Sequence, residues 1–337
     1  MKKHGNIVLA CLGMLCMVLD TQTAILSIRS GITLCLETVI PSLFVLVLIS
    51  QIVSTRFQEI PSHFLRPLRV ILKLPNSAEP IFLIGIMSGY PIGAQAIGES
   101  VAHKQLSSED GKRMMAFCCT AGPAFIFGMG ANLFTDWWQS WIVWILVLSS
   151  CCIVARIFPS SASINVVTRE IKPISFITAL NNTIHTMANI SAWVVVFRVI
   201  IGYLQRWFLW HFPTSANAMV LGFLELSNGT CELMTVEPAG LRLTLFAAML
   251  SFGGLCVACQ SYSVCGNVDP HLYIPGKILQ CAITMMLSQP AQLLFSESER
   301  YFLPLPYLSI PMILIIIVVL RCIKHRNRTS ISLPHGV

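Results

Sequence analysis

The chain has 337 residues and a formal net charge of +7, with 55% hydrophobic and only 11% charged residues. Charged residues make up about a quarter of a typical soluble domain, so this composition argues against a soluble enzyme and indicates a polytopic membrane protein. The positive charge does not predict nucleic-acid binding, because basic residues collect in the cytoplasmic loops of membrane proteins. Successive uncharged runs leave no room for a soluble domain, and residues 1–337 are predicted to form one membrane domain.

The chain begins with an apolar segment over 6–26 that follows Lys2 and Lys3. We predict a retained helix here, with a cleaved signal sequence as the alternative. A helix over 32–54 is predicted next. Residues 61–74 then place basic and apolar side chains on opposite faces of a helical period. This pattern predicts a helix lying on the cytoplasmic leaflet, with a solvated loop as the alternative.

An apolar segment near 80–104 is interrupted by Ser88-Gly89-Tyr90-Pro91-Ile92-Gly93. Gly and Pro break a helix, and lipid offers no partner to the freed backbone groups. Such a break must therefore pack against protein or line a polar cavity, and we predict a re-entrant hairpin. A broken helix over 112–132, around Thr120-Ala121-Gly122-Pro123, and a continuous helix over 139–157 complete the first half.

The second half of the chain repeats this order of elements. Its predicted hairpin contains Glu225-Leu226-Ser227-Asn228-Gly229, and its broken helix contains Ser251-Phe252-Gly253-Gly254. The predicted elements are a helix over 174–204, a hairpin near 216–236, a broken helix over 241–262 and a helix over 276–295. The two repeats are thus 32–157 and 174–295, and helices over 6–26 and 301–320 flank them.

The distribution of Lys and Arg predicts how these segments cross the membrane. If both interrupted segments are re-entrant hairpins, 17 basic residues share the side of the N-terminus, among them Lys277 in a cytoplasmic loop, and 4 lie opposite, with Arg198 inside a helix. If both segments span, the division is 12 to 9. The positive-inside tendency favours hairpins and places both termini in the cytoplasm of a cell membrane. The fold class predicted is all-α, with eight spanning helices and two hairpins in inverted repeats, an architecture that transporters use around a central site.

Two stretches of the first half, Gly85-Ile86-Met87-Ser88-Gly89-Tyr90-Pro91-Ile92-Gly93-Ala94 and Cys119-Thr120-Ala121-Gly122-Pro123-Ala124-Phe125-Ile126-Phe127-Gly128, resemble the nucleoside recognition (Gate) domain family. The nearest branch is the YlbJ-type sporulation integral membrane proteins. Gly222-Phe223-Leu224-Glu225-Leu226-Ser227-Asn228-Gly229 and Gly253-Gly254-Leu255-x-x-x-x-Gln260 support the resemblance. It implies a transporter-like membrane protein with a role in sporulation. Fold likeness alone does not transfer a nucleoside substrate.

Polar groups at membrane depth are costly, and each one is a functional hypothesis. Glu225 is the leading candidate, either as a ligand for a cation or proton or as a partner of Arg198. Glycines and prolines at the breaks would act through exposed backbone groups or through close helix packing. The candidate substrate-binding residues are Ser88, Gly89, Tyr90, Pro91, Gly93, Gln95, Thr120, Gly122, Pro123, Glu225, Ser227, Asn228, Gly229, Gly253, Gly254 and Gln260.

Other polar residues have simpler interpretations. Glu99 and His103, four residues apart, are interpreted as reaching the cytoplasmic surface. The stripe of Asn181, Asn182, His185 and Asn189 is interpreted as interhelical hydrogen bonding. Cys256-x-x-Cys259 lacks a second cysteine pair, so no metal or other cofactor is predicted.

Two functions from different classes remain open. The first is a secondary-carrier-like protein that binds or moves a small polar solute or ion. The second is a non-transporting scaffold for spore envelope assembly. No enzyme motif is present, and the predicted partners are the lipid bilayer and the solute or ion.

Overall fold

The computed structural model describes residues 11, 13–57, 62–75, 78–158, 174–208 and 213–304, together with 313, 315 and 317. Over these residues the chain is helical and contains no strand. Three helical stretches are long and apolar enough to cross a membrane, and a pair bent by 59° makes a fourth candidate, as expected for a membrane protein. The three are Trp137–Ile157, Phe176–Trp207 and Ala239–Val264, and the bent pair is Thr21–Val39 with Leu43–Ile49. Most of the predicted helix over 301–320 lies outside the described residues, as do the first residues of the one over 6–26.

Fourteen helices are named here in chain order. The first two are joined by a π-helical segment, Cys35–Val39. The helices are α1 (Thr21–Leu34), α2 (Ile40–Phe57), α3 (Ser62–Leu72), α4 (Glu79–Ser88), α5 (Ile92–Ala102), α6 (Ser108–Met115), α7 (Pro123–Leu133), α8 (Trp137–Ile157), α9 (Phe176–Trp207), α10 (Thr214–Leu224), α11 (Leu226–Leu233), α12 (Ala239–Phe252), α13 (Gly254–Val264) and α14 (Tyr273–Ala291).

The start of α1 differs from the sequence-based prediction. The Asp20 carboxylate accepts a hydrogen bond from the backbone N–H of Thr23 at 3.1 Å and caps the helix. The helix then continues through residues 27–31, where the sequence analysis separated the segments 6–26 and 32–54. An N-terminal Asp cap starts a helix, whereas one exposed basic side chain, that of Arg29, does not end one.

The described loops gather at two ends of the bundle. One, here called the basic end, comprises residues 73–75 and 78, 103–107 and 265–272, together with the end of α8 at 155–158; buried residues from these segments share one apolar cluster. The other, here called the Trp-rich end, comprises 134–138, 234–239 and 292–303. There the rings of Trp138 and Phe295 lie 5.4 Å apart, and the Gln292 side chain donates to the Gly240 carbonyl at 2.7 Å. The pair α4–α5 therefore enters and leaves at the basic end.

Each interrupted segment folds back on itself at a pair of glycines. A Cβ on Gly229 would lie 2.2 Å from the Cα of Gly222, across the junction of α10 and α11. In the same way, a Cβ on Gly93 would lie 3.1 Å from the Cα of Gly85, across the junction of α4 and α5. Small residues allow helix backbones to approach this closely in membrane proteins. The glycines thus fix two tight helical hairpins.

Arg113, only 2% exposed, ties three elements together at the basic end. Its guanidinium donates to the carbonyls of Leu72, Ala155 and Phe158 at 2.8, 2.7 and 3.2 Å. It also lies over the Phe117 ring, 5.1 Å from the centroid. The planar fork of donors suits this task, since these carbonyls belong to helix ends that have no further helical partner.

We expect Arg113→Met to lower the free energy of unfolding by about 3 kcal/mol or more, because three buried carbonyls would lose their donor at ~1–3 kcal/mol each. Thermal unfolding of the purified protein in detergent measures the effect. The neighbouring Lys112→Met is the matched control; it removes only a surface ion pair with Glu109 and should leave the midpoint nearly unchanged. Equal midpoints for the two variants would contradict this assignment.

Candidate functional site

The tips of the two helical hairpins meet at one small cavity inside the bundle. Its accessible volume is about 50 Å³. The lining comes from α2 with the π-helical segment, from both hairpins, and from α7, α9, α13 and the 116–122 segment. The lining residues are Thr38, Val39, Leu43, Ser88, Tyr90, Pro91, Gly122, Phe125, Ile190, Val194, Glu225, Leu226, Ser227, Val257 and Gln260.

The first hairpin tip is held by backbone contacts around Gly89. This residue has φ 76° and ψ −173°, a conformation that is essentially restricted to glycine. A Cβ here would lie 2.5 Å from the backbone nitrogen of Gly122. The next residue, Tyr90, donates its N–H to the Thr120 carbonyl at 3.0 Å and its hydroxyl to the Leu250 carbonyl at 3.4 Å. The tip is thereby fixed to the break of the first half and to α12.

The second hairpin tip is built around the carboxylate of Glu225, which is 3% exposed. Glu225 caps the N-terminus of α11. One carboxylate oxygen accepts the N–H of Ser227 at 3.1 Å; the other accepts the N–H and the side-chain amide of Asn228 at 2.9 and 2.6 Å. These backbone amides belong to the first turn of α11 and have no helical partner, so the side chain acts as an N-cap. The geometry thus holds a carboxyl group beside the cavity.

Arg198 reaches this carboxylate only through an intermediary. Its guanidinium donates to the side-chain oxygen of Asn228 at 2.5 Å and to the hydroxyl of Ser30 at 3.1 Å. Asn228 therefore stands between Arg198 and Glu225, and the direct pairing that the sequence left open is replaced by a relay. The relay anchors the second hairpin to α9 and α1, and Glu225 still lines the cavity.

The structure separates the sixteen sequence-predicted site residues into three groups. Seven line the cavity, and two more, Gly89 and Asn228, support its walls. The seven are Ser88, Tyr90, Pro91, Gly122, Glu225, Ser227 and Gln260. The remaining predicted residues, none of which lines the cavity, are Gly93, Gln95, Thr120, Pro123, Gly229, Gly253 and Gly254.

The residues outside the cavity have other positions. Gly93 and Gly229 lie at the hairpin crossings, and Gln95 donates to the Glu99 carboxylate at 2.9 Å, towards the basic end. Gly253, with φ 86°, ends α12, and a Cβ on it would lie 3.3 Å from the Tyr90 ring. Close backbone approach thus accounts for Gly93 and Gly229, and a positive φ accounts for Gly253.

A second polar network, of which only Thr120 was among the predicted site residues, lies behind the first break. Lys277 is completely buried and donates to the Gln280 side chain at 2.8 Å. Gln280 in turn donates to the Thr120 hydroxyl at 3.3 Å and to the Val147 carbonyl at 3.2 Å. The charge count had assigned Lys277 to a cytoplasmic loop, which is wrong, because α14 begins at Tyr273. The polar side chains at 280, 284 and 288, one helical turn apart, were the available signal.

The size and charge of the cavity define what it can hold. Among the described residues that line it, Glu225 is the only charged one. Sites for drug-sized molecules have volumes of about 300–1,000 Å³, and a water molecule occupies about 30 Å³ of the liquid. A space of about 50 Å³ beside a carboxylate therefore suits an ion or a few waters, and it is too small for a nucleoside.

Comparison with known proteins found no matching family model, no matching curated protein and no matching solved structure.

Proposed function

We propose that this chain is a secondary-carrier-like membrane protein that binds a small solute or ion in the central cavity and moves it by alternating access. The observation that carries the proposal is the meeting of two helix breaks, distant in sequence, at a buried carboxylate. Discontinuous helices that meet near the middle of a bundle are the usual way in which carriers build a site. A charged group at membrane depth is expensive, and function is the default reason for keeping one.

Inverted repeats form part of this proposal, and paired features support them. Each half has a hairpin that crosses at two glycines and a helix break beside the tip. Gly89 packs on Gly122 in the first half, and Gly254 packs on the Gly222 and Leu224 carbonyls in the second. With eight spanning helices and two hairpins, these features would be related by a pseudo-two-fold axis in the membrane plane.

The proposed orientation places the basic end in the cytoplasm, following the positive-inside tendency. We expect Lys104→Cys, at the basic end, to react with an impermeant maleimide only after cells are permeabilised. Asp136→Cys, at the Trp-rich end, should react in intact cells. Both positions are exposed, and mass spectrometry of the labelled peptide separates each new thiol from the native cysteines. Labelling of Lys104→Cys in intact cells would overturn the orientation.

Membership of the Gate family and a role in sporulation remain proposals that rest on the quoted motifs. The cavity supports the transporter-like part of that resemblance more than the nucleoside part. Its volume of about 50 Å³ favours an ion, and its polar groups at the first tip are few.

One observation favours the scaffold as a second candidate. Three N–H donors already engage the Glu225 carboxylate, so the side chain also works as a purely structural helix cap. A cap of this kind would stabilise the second hairpin without any ligand. The two candidates differ in whether the cavity binds anything.

A thermal-shift screen of the purified protein tests the proposal, because a ligand stabilises the folded state by mass action. The screen would contain salts of mono- and divalent cations, amino acids, organic acids and nucleosides. We expect saturable stabilisation by at least one compound in the wild-type protein and none by that compound in Glu225→Gln. Absence of any saturable response would favour the scaffold.

A further inference from the structure

A second, wider cleft opens at the basic end, between α5, α9 and α13. Its volume is about 470 Å³. The cleft is lined by Gln95, Gly98, Glu99, Ala102, Asn182, His185, Thr186, Asn189, Val264 and Gly266. Glu99, which was interpreted as reaching the surface, therefore shares one polar opening with three members of the stripe on α9, Asn182, His185 and Asn189. His103 and Asn181 do not line it.

The cleft and the central cavity are bounded by the same three helices, about one turn apart. On α5, Pro91 lines the cavity and Gln95 lines the cleft; on α13, Gln260 lines the cavity and Val264 lines the cleft. On α9, the neighbouring residues Ile190 and Asn189 line the cavity and the cleft, respectively. One turn of helix is about 5.4 Å, so only a thin layer of side chains separates the two spaces.

A chain of hydrogen bonds joins α9 to α13 beside the cleft. The Asn189 side chain donates to the Ser263 hydroxyl at 2.8 Å, and the Ser263 hydroxyl donates to the Gln260 carbonyl at 2.7 Å. Asn189 lines the cleft and Gln260 lines the cavity. Ser263 is exposed, so these bonds join α9 to α13 at the surface of the bundle, beside the cleft.

The lining of the cleft is suited to a cation. Glu99 provides a carboxylate, and no Lys or Arg is among the described residues that line either the cleft or the cavity. The Gln95 side-chain oxygen is buried and accepts no hydrogen bond, while its amide donates to Glu99. His185 is the one other titratable group in the cleft lining. A carboxylate at the mouth of a pore favours cations over anions, and Glu99 has this position at an end otherwise rich in Lys and Arg.

We propose that this cleft is the cytoplasmic vestibule for a small monovalent cation, which crosses the thin layer of side chains between the two spaces to reach Glu225. The inference rests on the proposed function and adds the class of substrate and its route. Glu99, which is exposed in the cleft, forms the outer station, and Glu225 forms the inner one. The outer station raises the local cation concentration and hence the association rate, whereas the inner one sets the affinity.

The test measures both the rate and the extent of cation binding by the full-length protein in detergent. Li⁺, Na⁺ and K⁺ chlorides are titrated, with N-methyl-D-glucamine chloride replacing them to keep the ionic strength constant. The midpoint of thermal unfolding measures the extent of cation binding, and stopped-flow tryptophan fluorescence measures its rate. We expect association to be about tenfold slower in Glu99→Gln and in Ala102→Phe, which fills the cleft, with stabilisation at saturating cation retained. Ala192→Phe, at an exposed position of α9 outside both spaces, is the control and should bind at the wild-type rate.

The outcomes separate the two proposals. If Glu99→Gln and Ala102→Phe bind the cation at the wild-type rate while Glu225→Gln does not bind it, the vestibule is wrong and the central site stands. If no cation stabilises the wild-type protein but an uncharged solute does, the cation assignment is wrong. If nothing binds, the proposed function fails together with the vestibule.

Discussion

Gly89→Leu is expected to abolish transport and to leave a protein that still inserts into the membrane. Gly89 has a backbone conformation that is essentially available only to glycine, and forcing another residue into it costs of order 1–3 kcal/mol. Any Cβ would also press on the backbone nitrogen of Gly122, 2.5 Å away, which no side-chain rotation can relieve. The first tip would therefore move out of the cavity wall, while the spanning helices, which bury most of the apolar surface, would still form.

The control for this change is Gly128→Leu, at an exposed position of α7 where a Cβ meets no atom within 4 Å. Uptake into proteoliposomes measures function, and size-exclusion chromatography measures folding. Gly128→Leu should match the wild-type protein in both. Full uptake by Gly89→Leu would show that the tip conformation is not needed for the site.

Glu225→Gln is expected to remove cation binding with only a small change in stability. Gln keeps one carboxylate-like acceptor, so one of the three N–H donors loses its partner, at a cost of ~1–3 kcal/mol. Removing the charge also removes the free-energy cost of holding it in the membrane, about 2.5–3.5 kcal/mol on membrane-insertion scales, and this gain offsets the lost hydrogen bond. The side chain thus stops attracting a cation, while the second hairpin stays capped.

Two companion variants separate charge from capping. Glu225→Asp keeps the charge and a capping side chain, and it should retain weakened cation binding. Glu297→Gln removes a carboxylate at an exposed position of the Trp-rich end, and it should bind as the wild-type protein does. If Glu225→Gln binds the cation with wild-type affinity, the carboxylate serves only as a helix cap and the scaffold becomes the better account.

The sequence was sufficient to locate the two tips, because Gly, Pro and Glu inside apolar segments leave few structural alternatives. Glu225 and Ser88 were therefore predictable as neighbours of a polar space. The direction in which the Gln95 side chain points was not predictable, because it depends on the rotation of α5 about its axis relative to α9. Lys277 was misassigned because a charge near the start of an apolar run resembles a loop residue until the helix boundary is known. The N-terminal boundary at Asp20 likewise depended on a single side-chain cap.

The relay through Asn228 shows a further limit of sequence reasoning. Arg198 and Glu225 were a plausible ion pair because both lie in apolar segments. Whether two such groups meet depends on a few ångströms of helix rotation, and here the Asn228 amide occupies the space between them. Tertiary packing decided the outcome, and no local pattern carries that information.

If a cation binds at Glu225 within the membrane, charge displacement in proteoliposomes on a solid-supported membrane will detect it. A rapid jump in Li⁺, Na⁺ or K⁺ concentration should give a saturable transient current in the wild-type protein, because a charge then moves part of the way across the membrane. Glu225→Gln should give no such current, and Glu297→Gln should give the wild-type one. Equal currents from wild-type and Glu225→Gln proteoliposomes, or no current with any of these cations, would contradict the account.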